Sequence, residues 1–141
     1  MRVMCPYCFS LNNVPQKEHY TKANCGKCQE SLLYAGVLEL FSENFDEVVE
    51  NSQIPVVVDF WAPWCGPCKA MGPEFAKAAA HFPLKALFAK VNTQEEQWLA
   101  QRFDVRSIPT LIVFKEGKEL YRMSGALKEA AIVSLTQGFI G

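Results

Sequence analysis

Several things are missing from this sequence. No apolar run in its 141 residues approaches the ~18–20 that a membrane-spanning helix needs, so a soluble protein without a membrane partner is expected. The opening stretch, MRVMCPYCFSLNNVPQ, lacks the apolar core of a secretory signal, and this points to the cytoplasm. No charge sign dominates: 14 Lys and Arg stand against 15 Asp and Glu, for a net charge of −1. The balance divides unevenly, at +2 over residues 1–35 and −3 over 36–141, but neither value offers nucleic acid an electrostatic footprint. The two histidines, His19 and His81, read as surface residues. Half of the residues are hydrophobic, which argues against wholesale disorder. The length suits one ordinary domain with at most a small appendage.

Cysteine is what the chain does have. Six residues fall into three pairs of one spacing: Cys5 and Cys8, Cys25 and Cys28, Cys65 and Cys68. A secreted disulfide framework fits neither the missing signal nor the length, so the pattern points to metal or redox chemistry. Residues 1–35 are polar and turn-rich, and their apolar members (Val3, Phe9, Val14 and Leu32 among them) follow no sustained period. Ordering such a segment costs roughly 50 kcal/mol at ~1.5 per residue. A piece below ~40 residues therefore needs a metal, disulfides or docking to a neighbour. The first two pairs form C-x2-C-x16-C-x2-C, inside the range of a tetrahedral zinc site, with Gly26 suited to a tight turn. Four thiolates with no open position make such a Zn²⁺ structural, and zinc binding, worth ~10–16 kcal/mol in small peptides, offsets the weak core. Two disulfides in place of zinc, and a nucleic-acid-binding ribbon with only four spread basic residues, are the other readings. Cys5-Pro6-Tyr7-Cys8 also matches the glutaredoxin active-site motif, but no strand precedes it and no convincing helix follows. Gly36 marks the boundary: 1–35 as a four-cysteine, zinc-ribbon-like binding module, 36–141 as the larger domain.

From residue 37 strands and helices alternate. A short strand is expected at 37–40, then a helix over 43–51 capped by Ser42, with Phe45, Val48 and Val49 on one face. Residues 56–62, VVVDFWA, read as a strand covered on both faces. A helix over 65–80 is expected to kink at Pro73, and a second buried strand spans 84–91. Thr93-Gln94-Glu95-Glu96 reads as a capping box opening a helix to Phe103. A strand at 110–115 turns through Glu116-Gly117-Lys118 into 119–123, and 127–140 is an amphipathic helix. The class is α/β.

Trp64-Cys65-Gly66-Pro67-Cys68 follows a buried strand and opens a helix; a chance match of all five residues is on the order of one in a million. At a helix start this spacing puts both sulfurs within disulfide reach. The first sulfur faces unpaired backbone N–H groups, which together with the helix dipole favour a Cys65 thiolate. Cys68, one turn in, is expected to be more buried. A structural disulfide or half a zinc site is the plain alternative. Asp59, inside the apolar run, must be protonated, functional or paired, with Lys90 the available partner. Trp61 reads as packing.

Residues 37–141 resemble the thioredoxin family through VVVDFWAPWCGPCKAMGPEF, FAKVNTQ, Ser107-Ile108-Pro109-Thr110 and Gly125-Ala126. The resemblance implies a thioredoxin fold, a central mixed sheet flanked by helices, and a cis bond before Pro109 lying against the cysteine pair. It implies that Cys65 attacks a target disulfide and Cys68 resolves the mixed disulfide, with Asp59 as the base that takes the Cys68 proton. Trp64, Gly66, Pro67, Ile108, Pro109 and Gly125 become the substrate surface. With the four N-terminal cysteines, the chain is similar to the thioredoxin 2 group, bacterial thioredoxins carrying a zinc module. The resemblance implies a monomeric cytoplasmic protein-disulfide reductase with a redox-active Cys65/Cys68 disulfide, reduced by an NADPH-dependent thioredoxin reductase. Its zinc thiolates stay oxidisable and the module redox-sensitive. A disulfide oxidant or isomerase, and a zinc- or redox-regulated chaperone or binding module, are the rivals.

Overall fold

The computed structural model describes residues 1–140. At the N-terminus β1 (Arg2–Met4) pairs antiparallel with β2 (Leu11–Asn13). Then come β3 (Val37–Glu39), α1 (Phe45–Asn51), β4 (Val56–Trp61), α2 (Gly66–Ala79), β5 (Leu87–Asn92), α3 (Gln97–Arg102), β6 (Thr110–Lys115), β7 (Lys118–Ser124) and α4 (Glu129–Gln137). The five later strands form one mixed sheet in the order β3-β5-β4-β6-β7. β3, β4 and β5 run parallel, while β6 and β7 run antiparallel to their neighbours. This is the thioredoxin fold expected from the sequence.

Strand alternation divides the core between the two sheet faces. Val56, Val58 and Phe60 of β4 pack with Phe45, Val48 and Val49 of α1 and Leu99 of α3. Val57 points the other way, toward Met71, Phe75 and Ala78 of α2 and Ile132 of α4. Asp59 shares the parity of Val57, so its carboxyl lies on the α2 face, where a cavity of about 230 Å³ brings it together with Cys68 and Lys90. β4 is buried along nearly its whole length, as an apolar run covered on both faces should be. The β6–β7 turn has Glu116 at φ 52° and Gly117 at φ 84°, the left-handed pair of a two-residue hairpin.

Several local expectations are corrected. Ser42 does not cap α1: its hydroxyl donates to Glu96 Oε2 at 2.8 Å, and Asn44 stands at the cap position without a side-chain bond to the helix. The box at 93–96 does not form either. Thr93 donates its hydroxyl to the Trp61 carbonyl at 3.0 Å, the Glu96 carboxylate is engaged by Ser42, and α3 begins only at Gln97. Both capping groups are drawn off by tertiary partners invisible to a local pattern. Leu84 adopts φ 61° in a turn closed on the Phe82 carbonyl, so β5 starts three residues later than expected. α2 continues as one helix through Pro73, and the last helix covers only Glu129–Gln137.

Residues 1–35 do not stand apart. Val3, Met4, Val14 and Leu32 are buried in the same apolar cluster as Ile54, Leu84 and Leu87. The Gln53 N–H donates to the Arg2 carbonyl at 3.1 Å, and Lys85 Nζ donates to the Lys17 carbonyl. The missing periodicity has a physical reason: these side chains complete a core supplied by another part of the chain. Among the described residues, no helix is long and apolar enough to cross a membrane.

Candidate active site and metal centre

Cys65 and Cys68 form a disulfide, with Cα atoms 5.2 Å apart. Cys65 is the N-cap of α2, and its sulfur accepts the Cys68 N–H at 3.2 Å. Pro67 occupies the first helical turn, where its missing N–H costs no hydrogen bond. One expectation weakens: Cys65 is 5% exposed and Cys68 3%, so burial hardly separates them. What distinguishes them is the helix start, which points an N–H at Cys65 Sγ alone.

The Ile108-Pro109 peptide bond is cis, in agreement with the family resemblance. Its loop lies against the cysteines, with the Ile108 carbonyl 3.8 Å from Cys65 Sγ. The loop is braced by Thr110 and Gly125, which the sequence motifs include, and by Ser124, which sequence reasoning did not single out. The Thr110 hydroxyl donates to the Ser107 carbonyl at 2.6 Å and meets Ser124 Oγ at 3.0 Å. Gly125, at φ 102°, donates its N–H to the Pro109 carbonyl at 2.9 Å. Of the expected substrate surface, Trp64 is 71% exposed, Gly66, Pro67 and Gly125 are exposed, Ile108 is half-buried and Pro109 is buried. Trp64 and Ile108 share a groove of about 330 Å³ that extends to Gln97 and Gln101 of α3.

Asp59 is 4% exposed, and its Oδ1 has no hydrogen-bond partner. Burial pushes its carboxyl up from an ordinary 3.8 to about 7, against the pull of Lys90. Lys90 pairs with Asp59 in strand register, but no direct ion pair joins them among the described residues. Lys90 Nζ sits 5.4 Å from the centroid of the Trp61 ring instead. The expected partnership is thus a Coulombic one across the cavity, and Asp59 stays protonated over much of the acid range. A carboxyl whose folded-state pKa is raised contributes its full stability below the unfolded value and loses it as pH rises to the folded value. Between about pH 4 and 7 the oxidised protein should lose stability on the order of 4 kcal/mol from this group. Asp59→Asn should remove that slope, so that its gain is small at pH 4.5 and several kcal/mol at pH 8. Urea titrations of both oxidised proteins check this; an equal gain at both pH values would contradict it.

The N-terminal cysteines come together as two matching knuckles. In the first, Cys5 N–H donates to the Ser10 carbonyl and Phe9 N–H to the Cys5 carbonyl, each at 2.9 Å. In the second, Cys25 N–H reaches the Glu30 carbonyl at 2.8 Å and Gln29 N–H the Cys25 carbonyl at 3.0 Å. Phe9 and Gln29, each just past its second cysteine, take φ 62° and 70°. They make the turns, and Gly26, expected to do so, is not among the positive-φ residues. All four Sγ atoms lie within 4.8 Å of one another, with Cys5 3.6 Å from Cys28 and Cys8 3.7 Å from Cys25. A tetrahedral zinc with bonds of about 2.3 Å spaces its sulfurs about 3.8 Å apart, so the cluster fits that ion.

The Tyr7 N–H donates to Cys5 Sγ at 3.4 Å, while Lys27 N–H and Asn12 Nδ2 donate to Cys25 Sγ at 3.4 and 3.5 Å. Bonds from Ser10 and the Cys28 N–H bring the Cys25 thiol down to about 5. The Glu30 N–H holds Cys28 down, but burial and the three neighbouring sulfurs push it up to about 12. Four thiolates this close repel one another, and a bound dication would offset that repulsion. Ser10 and Asn12 escaped sequence reasoning because only the fold brings them to the sulfurs.

The thioredoxin family model matches residues 36–137. The chain is 42% identical to thioredoxin C-3 of Corynebacterium nephridii over 128 residues, covering 91% of this chain and 88% of that one. That match is too long to fit within residues 36–141, so it reaches into the cysteine-bearing N-terminus. A thioredoxin of Haemophilus influenzae is 41% identical over 98 residues, covering 70% of this chain and 92% of the relative. The solved structure of a single-substitution variant of Halobacterium salinarum thioredoxin superposes with a TM-score of 0.69 at 30% identity, over 76% of this chain and 93% of that one. With the fold, the cis-proline loop and the Cys65/Cys68 disulfide in place, the chain belongs to the thioredoxin family of thiol-disulfide oxidoreductases.

Proposed function

We propose that the chain is a cytoplasmic, monomeric protein-disulfide reductase whose reaction centre is Cys65 and Cys68, with Asp59 as proton acceptor. The observation that carries this reading is the Cys65 sulfur at the N-cap of α2, facing an N–H donor and the cis-proline loop. The Cys65 thiolate attacks one sulfur of a client disulfide, forming a mixed disulfide and expelling the first client thiolate. Cys68 then loses its proton to the Asp59 carboxylate and attacks Cys65 Sγ, releasing the second client thiol and closing the Cys65/Cys68 disulfide. Two electrons pass to the client. An NADPH-dependent flavin reductase of the thioredoxin reductase kind returns them. Trp64, Gly66, Pro67, Ile108, Pro109 and Gly125 form the docking surface, and Lys90 adjusts the charge beside Asp59.

The cluster of Cys5, Cys8, Cys25 and Cys28 would hold one structural Zn²⁺, making residues 1–35 a zinc module on a thioredoxin domain. When bound, the ion compensates the charge of four thiolates. Peroxide would oxidise those thiolates and expel the metal, which makes the module redox-sensitive. A chromogenic chelator reports the release: purified reduced protein should yield one zinc per chain, and zinc-free protein from metal-replete cells would sink this part. The reductase reading is tested by NADPH-coupled turnover of insulin disulfides. Client binding without turnover, persisting after loss of Cys65, would favour a binding module instead.

Asp59→Asn should slow reduction severalfold at pH 7, because Cys68 loses its proton acceptor. A pH–rate profile from 6 to 9 checks this; superimposable profiles would leave Asp59 without a catalytic part.

A further inference from the structure

The groove between Trp64 and α3 contains a single charged side chain, Arg106. Its Nε donates to Asp104 Oδ1 at 3.0 Å, but Asp104 does not line the groove. With side chains 84% and 71% exposed, that ion pair is screened by water and weak. A guanidinium carries five N–H donors, and this bond engages one of them. The other polar groups along the groove, Gln97, Gln101, Thr93 and Ser107, are neutral. The groove also adjoins the reaction centre: it shares Ile108, whose carbonyl lies 3.8 Å from Cys65 Sγ. A polypeptide presenting a disulfide to Cys65 past Trp64 therefore passes the free edge of Arg106.

We infer that Arg106 is a specificity determinant that favours client segments bearing Asp or Glu next to the disulfide cysteine. This rests on the reductase reading and concerns which clients are preferred. A carboxylate meets the guanidinium donors that Asp104 leaves unused, and no charged side chain other than Arg106 lines the groove, so a lysine there is less favoured. Arg106 is largely exposed, so the contact is screened by water and stays modest.

The test uses the full-length protein and two peptide disulfides that differ only in Glu or Gln beside the cysteine. The wild-type protein should show a ratio of kcat/KM values, Glu over Gln, of about three to five at low salt, carried mainly by KM and shrinking as salt is added. Arg106→Gln should bring the ratio near one, Arg106→Lys should keep part of it, and Arg106→Glu should invert it. Lys118→Gln makes the same charge change at the far end of the β6–β7 hairpin and should leave the ratio as in wild type. A wild-type ratio of one, or a preference that survives Arg106→Gln, overturns the inference. So does an equal loss in Lys118→Gln, which would mark an effect of net charge. If the wild-type protein reduces neither peptide, the reductase reading itself fails and takes this inference with it.

Discussion

Replacing Cys65 with serine should abolish protein-disulfide reduction, by more than about a thousandfold, because Cys65 is the N-cap of α2, where its sulfur accepts the Cys68 N–H and faces the cis-proline loop. Cys68→Ser should behave differently. Cys65 remains able to attack, but nothing resolves the product, so a client with a reactive disulfide accumulates as a stable adduct. Non-reducing electrophoresis and intact mass detect that adduct directly. The asymmetry matters because the two cysteines are almost equally buried; if exposure decided the roles, they would be nearly interchangeable. The Cys68 N–H aimed at Cys65 Sγ is the physical source of the expected difference. Trapping by the Cys65→Ser protein, with none by Cys68→Ser, would reverse the roles.

The second large effect concerns residues 1–35. Their removal spares the reaction centre, which lies at the C-terminal end of β4, so activity per folded molecule at low temperature should survive. Stability should not. Val3, Met4 and Leu32 close the core over Ile54, Leu84 and Leu87, and baring those three side chains costs on the order of 5 kcal/mol. The shortened protein should therefore unfold well below the full chain, by more than 10 °C, since each kcal/mol moves a domain of this size by about 4 °C or more. Stripping the zinc proposed for the four-cysteine cluster should lower the unfolding temperature of the full-length protein in the same direction, because the knuckles hold these side chains in place. Thermal unfolding followed by near-ultraviolet circular dichroism measures both. Equal unfolding temperatures for full-length and shortened proteins would mean that the contacts between the two parts contribute nothing.

Much of the fold was legible in the sequence wherever the signal is local. VVVDFWA announces a strand covered on both faces, and the Trp-Cys-Gly-Pro-Cys run marks the strand-to-helix junction that β4 and α2 provide. The four-cysteine spacing anticipates a cluster that the structure brings within 4.8 Å. What escaped depends on partners distant in sequence. Ser42 and Glu96, 54 residues apart, bind each other instead of capping the helices they precede. The apolar residues of 1–35 looked patternless because their complement lies around Ile54 and Leu84. Lys90 was legible as a neighbour of Asp59, but its stacking on Trp61 depends on side-chain direction, which spacing does not encode. Arg106 sits beside a recognisable Ser-Ile-Pro-Thr motif, yet only α3 folding across from it creates the groove that gives it a role.

The most direct measurement tracks where the electrons go. The fully reduced, metal-loaded protein is mixed with a disulfide client, and the six cysteines are counted individually by differential alkylation and peptide mass spectrometry. One Cys65/Cys68 disulfide should appear for each client disulfide reduced, with Cys5, Cys8, Cys25 and Cys28 unchanged throughout. Client reduction that leaves Cys65 and Cys68 as thiols, or that draws its electrons from the N-terminal cluster, would contradict the account.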